Sequence, residues 1–107
     1  VATSTHAGLP WLRYLRTYCH ERVHFWPFDG WVVPARRSVV AEVYPSLWTR
    51  RFANDRDRTP DQHAAYATAS WLRRADMDGS LPIFFNPALE REERTIAQVE
   101  GWILGVL

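Results

Sequence analysis

A small single domain of the α/β (α+β) class, two or three strands packed by helices on one or both faces, is the fold this sequence predicts. Three observations carry it. Val39-Val40-Ala41-Glu42-Val43-Tyr44 is an apolar, β-branched run of strand length. Thr59 to Leu72 is an alanine-rich segment whose opening, Thr59-Pro60-Asp61-Gln62, has the spacing of a helix capping box. After Pro10, Trp11, Leu12, Leu15, Tyr18 and Cys19 recur at helical spacing and draw one apolar stripe. A length of 107 residues suits one domain with a modest core.

Taken in order, residues 1–8 are small and polar and read as a loose arm. Pro10 fits a first helical position, because its missing N–H costs nothing there, and a helix of about three turns should follow. Val23 to Phe28 reads as a strand that Pro27 confines to an edge or an end. Asp29-Gly30 is a tight-turn pair, and Trp31 to Pro34 is expected to return as a short antiparallel partner. Val39 to Tyr44 is the next strand. Pro45 to Phe52 reads as a short helix or turn that sends Leu47, Trp48 and Phe52 inward, and Asn54 to Arg58 as a charged loop. The capped helix should run from Pro60 to about Asp76 and stop at Gly79. Leu81 to Phe85 is apolar and ambiguous. Asn86-Pro87 opens a last helix, with Ile96, Val99, Ile103 and Val106 as its expected buried stripe.

Composition narrows the function little. A formal charge of +1 exerts no global pull toward nucleic acid or membrane. Every basic residue except the histidines is Arg, a choice that suits bidentate contacts but also follows from a GC-rich genome. Cys19 is the one cysteine, so no internal disulfide can form, and a buried, inert thiol is expected. No run approaches the roughly 20 apolar residues of a membrane span, so no membrane partner is expected and the expected location is cytoplasmic. Six tryptophans in so short a chain mean either a Trp-dense core or an aromatic contact surface.

Glu42 is the most informative polar residue. It shares a strand face with Val40 and Tyr44. On a covered face its carboxylate would be neutral, paired with Arg or bound to a cation; on an open face it meets water. Asp61 and His63 lie in the first turn of the capped helix. They are candidate metal and proton-transfer groups, or else a macrodipole partner and a solvated imidazole. The histidines show no zinc spacing. Arg36-Arg37, Arg50-Arg51 and Arg73-Arg74 alternate with Trp31, Trp48 and Trp71, a pattern that fits a single-stranded nucleic-acid grip or merely solvated faces.

Phe25-Trp26-Pro27-Phe28-Asp29-Gly30-Trp31, Val40-Ala41-Glu42-Val43-Tyr44-Pro45, Asp61-Gln62-His63 and Trp71-Leu72-Arg73-Arg74-Ala75-Asp76 together resemble the C-terminal half of an uncharacterised bacterial family related to the ribonuclease H-like superfamily. The resemblance implies a small, partial ribonuclease H-like layer structure and a metal-dependent nuclease or phosphodiesterase using Mg²⁺ or Mn²⁺. It puts Glu42 and Asp61 among the metal ligands, and Glu42, Asp61 and His63 among the catalytic residues. The sequence departs from that pattern at Ala64, where a second acid would stand. The superfamily's first catalytic Asp lies on a strand preceding the residues here, so activity would depend on an added N-terminal strand. The alternative is a non-catalytic interaction or dimerisation module with a Trp-rich contact surface. Nucleic acid, a further copy of the chain or a missing N-terminal segment are the expected partners.

Overall fold

The computed structural model describes residues 2–107, with side chains from Thr5 onward. Its order is helix α1 (Ala2–Cys19), a 3-10 turn (His20–Arg22), strands β1 (Val23–Phe25) and β2 (Ser38–Val40), and two 3-10 turns (Pro45–Leu47 and Thr49–Arg51). Helices α2 (Pro60–Met77), α3 (Leu81–Phe84) and α4 (Arg91–Glu100) complete it. The chain is thus a small mixed α/β protein with a two-stranded sheet. Among the described residues no helix is long and apolar enough to cross a membrane.

The strands are parallel, with Val23, His24 and Phe25 opposite Ser38, Val39 and Val40. Parallel neighbours need a long crossover, which residues 26–37 supply. The antiparallel return expected at Trp31 to Pro34 does not form. The Asp29 carboxylate accepts the Phe25 N–H (2.9 Å), and the Gly30 N–H bonds to Pro27 O (2.9 Å), which turns the chain tightly. His24, 1% exposed, donates from Nε2 to Gly30 O (2.8 Å) and pins that turn from beneath. Trp31 then leaves the sheet. Its ring meets Trp26 edge-on (5.4 Å between centroids), and its Nε1–H donates to Arg94 O (3.3 Å). Packing an indole against the core wins over extending a short hairpin.

Past β2 the chain stays extended. Glu42 forms a parallel bridge with Ile103, and the Leu104 N–H bonds to Glu42 O (2.9 Å), so the C-terminal segment runs beside the sheet. The capped helix forms as the sequence predicts. Gln62 N–H donates to Thr59 Oγ1 (3.3 Å), and Thr59 N–H donates to Gln62 Oε1 (3.0 Å). Gly79, with φ of 80°, follows its end.

The core is Trp26, Trp48, Ala67, Trp71, Ala75 and Leu104. Ala67 and Ala75 leave room on α2 for large rings. Trp48 lies flat on Trp71 with centroids 4.3 Å apart, and Trp71 meets Phe84 edge-on at 5.0 Å. Most tryptophans therefore belong to the core or its margin.

The two outer helices differ from expectation. Helix α1 begins at Ala2, so the expected loose arm is helical and Pro10 lies inside the helix. On α4, Ile96 and Val99 face outward, not inward; Ala97 is the buried residue of that helix. Ile103 and Val106 lie beyond the helix, because Gly101 (φ 102°) ends it.

Candidate functional site

Glu42 lies just beyond β2. Its backbone is engaged by Leu104, and its exposed side chain lines a cleft of about 220 Å³ with Tyr44, Glu100, Gly101, Trp102, Ile103 and Val106. The second carboxylate in this cleft is Glu100, at the end of α4, and sequence spacing gave no sign of it. Gly101 lets the backbone pass close by: a Cβ there would lie 3.1 Å from Phe28 Cζ and 3.9 Å from Glu42 Oε2.

Asp61 is exposed in the first turn of α2, where its charge favours the macrodipole. His63 is half-buried and turns toward the Thr49–Arg51 turn. Its Nε2–H donates to Thr49 O (2.9 Å), which fixes that tautomer, while Nδ1 is buried without a partner. Its ring also lies beside Tyr66 at 6.2 Å. His63 therefore latches the start of α2 to the turn before it.

The elements these residues sit on pack differently. Glu42 belongs with the sheet and the C-terminal segment, whereas the first turn of α2 packs on the 3-10 turns. Among the described residues no three His, Cys, Asp or Glu side chains are grouped so as to hold a metal ion. A two-metal site takes several carboxylates. The described residues do not assemble that donor set.

The arginine–tryptophan alternation divides in a similar way. Trp48 and Trp71 are buried against each other, so their faces are not open to bases. Arg74 covers Phe52 (4.8 Å to the ring centroid), Arg58 covers Tyr66 (3.5 Å) and Arg94 covers Trp31 (4.5 Å). These three arginines roof aromatic rings of the same chain, and of the paired arginines Arg74 is the one among the described residues that does so.

Two apolar hollows flank the sheet. The larger, about 570 Å³, is lined by Trp31, Val33, Val39, Leu81 and Phe85, with Asp76, Asn86 and Arg94 contributing polar groups. Arg94 is already engaged, donating to Asn86 Oδ1 (2.8 Å) and Pro87 O (3.1 Å). The other, about 440 Å³, lies between α1 and the sheet and is lined by Leu9, Leu12, Phe25, Trp26, Phe28 and Val40.

A row of exposed large side chains runs along α1. Trp11, Tyr14, Leu15 and Tyr18 stand at i, i+3, i+4 and i+7, one face of a helix. Trp11 is 70% exposed and Tyr18 65%. Trp11 meets Tyr14 edge-on (6.4 Å), and Tyr14 stacks on Tyr18 (5.7 Å, 11° between planes). The opposite face of α1 is tethered to the domain: Arg16 forms an ion pair with Asp29 and lies over Phe25 at 5.1 Å. Burial alone would raise the Asp29 pKa. The Phe25 N–H and the Arg16 guanidinium outweigh it and hold that carboxyl below its ordinary value. No family model, no curated protein and no solved structure matches this chain.

Proposed function

We propose that this chain is an interaction module that associates with a further copy of itself through the outer face of α1. One observation carries the reading: four large side chains at i, i+3, i+4 and i+7 stand exposed on a helix whose other face is the tethered one. That spacing is how an amphipathic helix presents anchors to a groove. Aromatic anchors are also the side chains that dominate interface energetics. Burying each is worth about 1.5–3 kcal/mol, against an association cost of roughly 4–15 kcal/mol. The balance fits reversible, concentration-dependent assembly.

Sedimentation velocity over a concentration series tests it. The wild-type chain is expected to shift toward heavier species as concentration rises. Trp11→Ala with Tyr18→Ala should remain a monomer while unfolding at an unchanged temperature, since neither ring belongs to the core. A wild-type chain that stays monomeric throughout overturns the reading.

Metal-dependent phosphodiester hydrolysis stands as a second reading, supported by the resemblance and by Glu42 and Glu100 lining one cleft. It expects the side-chain resonances of these two residues to move on addition of millimolar Mg²⁺ or Mn²⁺. No response from either removes it.

A further inference from the structure

Trp71, Arg74, Ala75 and Asp78 stand at i, i+3, i+4 and i+7, so the end of α2 and its C-cap turn them to one side. Trp71 and Ala75 are buried in the core there, which carries the Arg74 stem to the core's rim. The Thr49–Arg51 turn and helix α3 both pack on α2, and residues of all three elements, or next to them, line a cleft of about 220 Å³. Its walls are the rings of Phe52, Trp71 and Phe84, and its polar groups come from Arg51, Arg74, Asp78 and Ser80.

Arg74 sets this cleft apart. Its guanidinium lies over Phe52, 4.8 Å from the ring centroid. Each other arginine held over a ring among the described residues also uses its N–H donors within the chain: Arg16 on Asp29, Arg22 on Cys19 O, Arg58 on Ala53 O, and Arg94 on Asn86 and Pro87. The Arg74 side chain has neither a hydrogen-bond acceptor nor an ion pair among the described residues, and Arg51 is also outside the ion pairs there. A guanidinium oriented by a ring, with its fork of donors unused, is a preorganised receptor for an oxyanion, because two parallel N–H bonds match two oxygens.

The acceptors nearby oppose this only in part. One Asp78 oxygen accepts the Ser80 N–H (2.9 Å), so that carboxylate is turned toward its own loop. The carbonyls at the end of α2 are engaged: Arg74 O accepts from the Asp78 N–H (2.9 Å) and Asp76 O from the Gly79 N–H (3.3 Å). Two arginines thus face one carboxylate.

We propose that this cleft binds an aryl oxyanion, a benzene-sized ring carrying a phosphate or a carboxylate. The ring packs among Phe52, Trp71 and Phe84, where edge-on and stacked partners are on offer. The oxyanion takes the Arg74 fork with Arg51 alongside, and Asp78 keeps it at the arginine end. A cavity of about 150 Å³ accommodates benzene, so 220 Å³ leaves room for the anionic group as well. None of these residues lies on α1, so the site is independent of self-association.

Titration of the whole chain with phenyl phosphate and with benzoate, followed by NMR, tests the site. Saturable shifts are expected at Arg74 Nε–H and at the Phe52 and Phe84 rings, and the tighter of the two probes identifies the oxyanion as phosphate or carboxylate. Inorganic phosphate and cyclohexanecarboxylate, which lack the aromatic ring, should each bind at least tenfold more weakly than their aryl counterparts. Arg74→Lys keeps the charge but loses the fork, and should bind at least tenfold more weakly while unfolding at an unchanged temperature. No saturable shift from either aryl probe at millimolar concentration overturns the proposal. So does inorganic phosphate binding as tightly as phenyl phosphate, which leaves an ion contact without a ring site. Arg74→Lys binding like wild type overturns it too.

Discussion

Gly105 sits against the ring of Trp48, with φ of 103° and a would-be Cβ 2.6 Å from Cζ2. Both facts exclude a side chain: the backbone is in the left-handed region, and the obstacle is a buried ring stacked on Trp71. Gly105→Ala should therefore cost about 2–4 kcal/mol, combining backbone strain with overpacking. Chemical denaturation would show it as a lower midpoint with an unchanged slope. At this same scale the candidate site was only half legible. Glu42 stands out as a carboxylate in an apolar run, and it does line a cleft. Its neighbour there, Glu100, is far away in sequence at a helix end and announces itself by no spacing. His24 was invisible for a related reason: its role depends on Gly30 O, which only the folded turn brings near.

Among the elements, α2 was read almost residue for residue, because a capping box and a terminal glycine are local devices whose meaning needs no partner. The expected hairpin does not form because Asp29-Gly30 specifies a turn but not where the chain goes afterwards, and Trp31 packs half-buried against the core. Helices α1 and α4 teach a different lesson. Periodicity identifies an apolar face, yet not whether the same molecule covers it. The tether of α1 makes a prediction at this scale. The Asp29 pKa is lowered by folding, so its ion pair stabilises the tether above the unfolded value of about 3.9 and is lost as pH falls through the lower folded value. Acidification through that lowered folded value should release the α1 end, followed by the near-ultraviolet signal of Tyr14 and Tyr18. In Asp29→Asn, where this group no longer titrates, that acid step should be absent.

Across the whole molecule, the net charge of +1 conceals an uneven distribution. Helix α1 is devoid of acid, while Glu90, Glu92, Glu93 and Glu100 gather on and before α4. A composition summary averages this away. The Trp-rich composition misleads in the opposite direction. It invites an aromatic docking surface built of indoles, but Trp26, Trp48 and Trp71 seal the interior and the exposed face of α1 has a single indole, Trp11.

Leu104 has a temporal consequence. It belongs to the central cluster with Trp26, Trp48 and Trp71, and its N–H secures Glu42 O beside the sheet. A chain emerging from the ribosome can cap and wind α2 early, but must wait for residues 103–105 before the Trp48–Trp71 pair is roofed. During vectorial synthesis that indole pair lacks this cover until residues 103–105 are delivered.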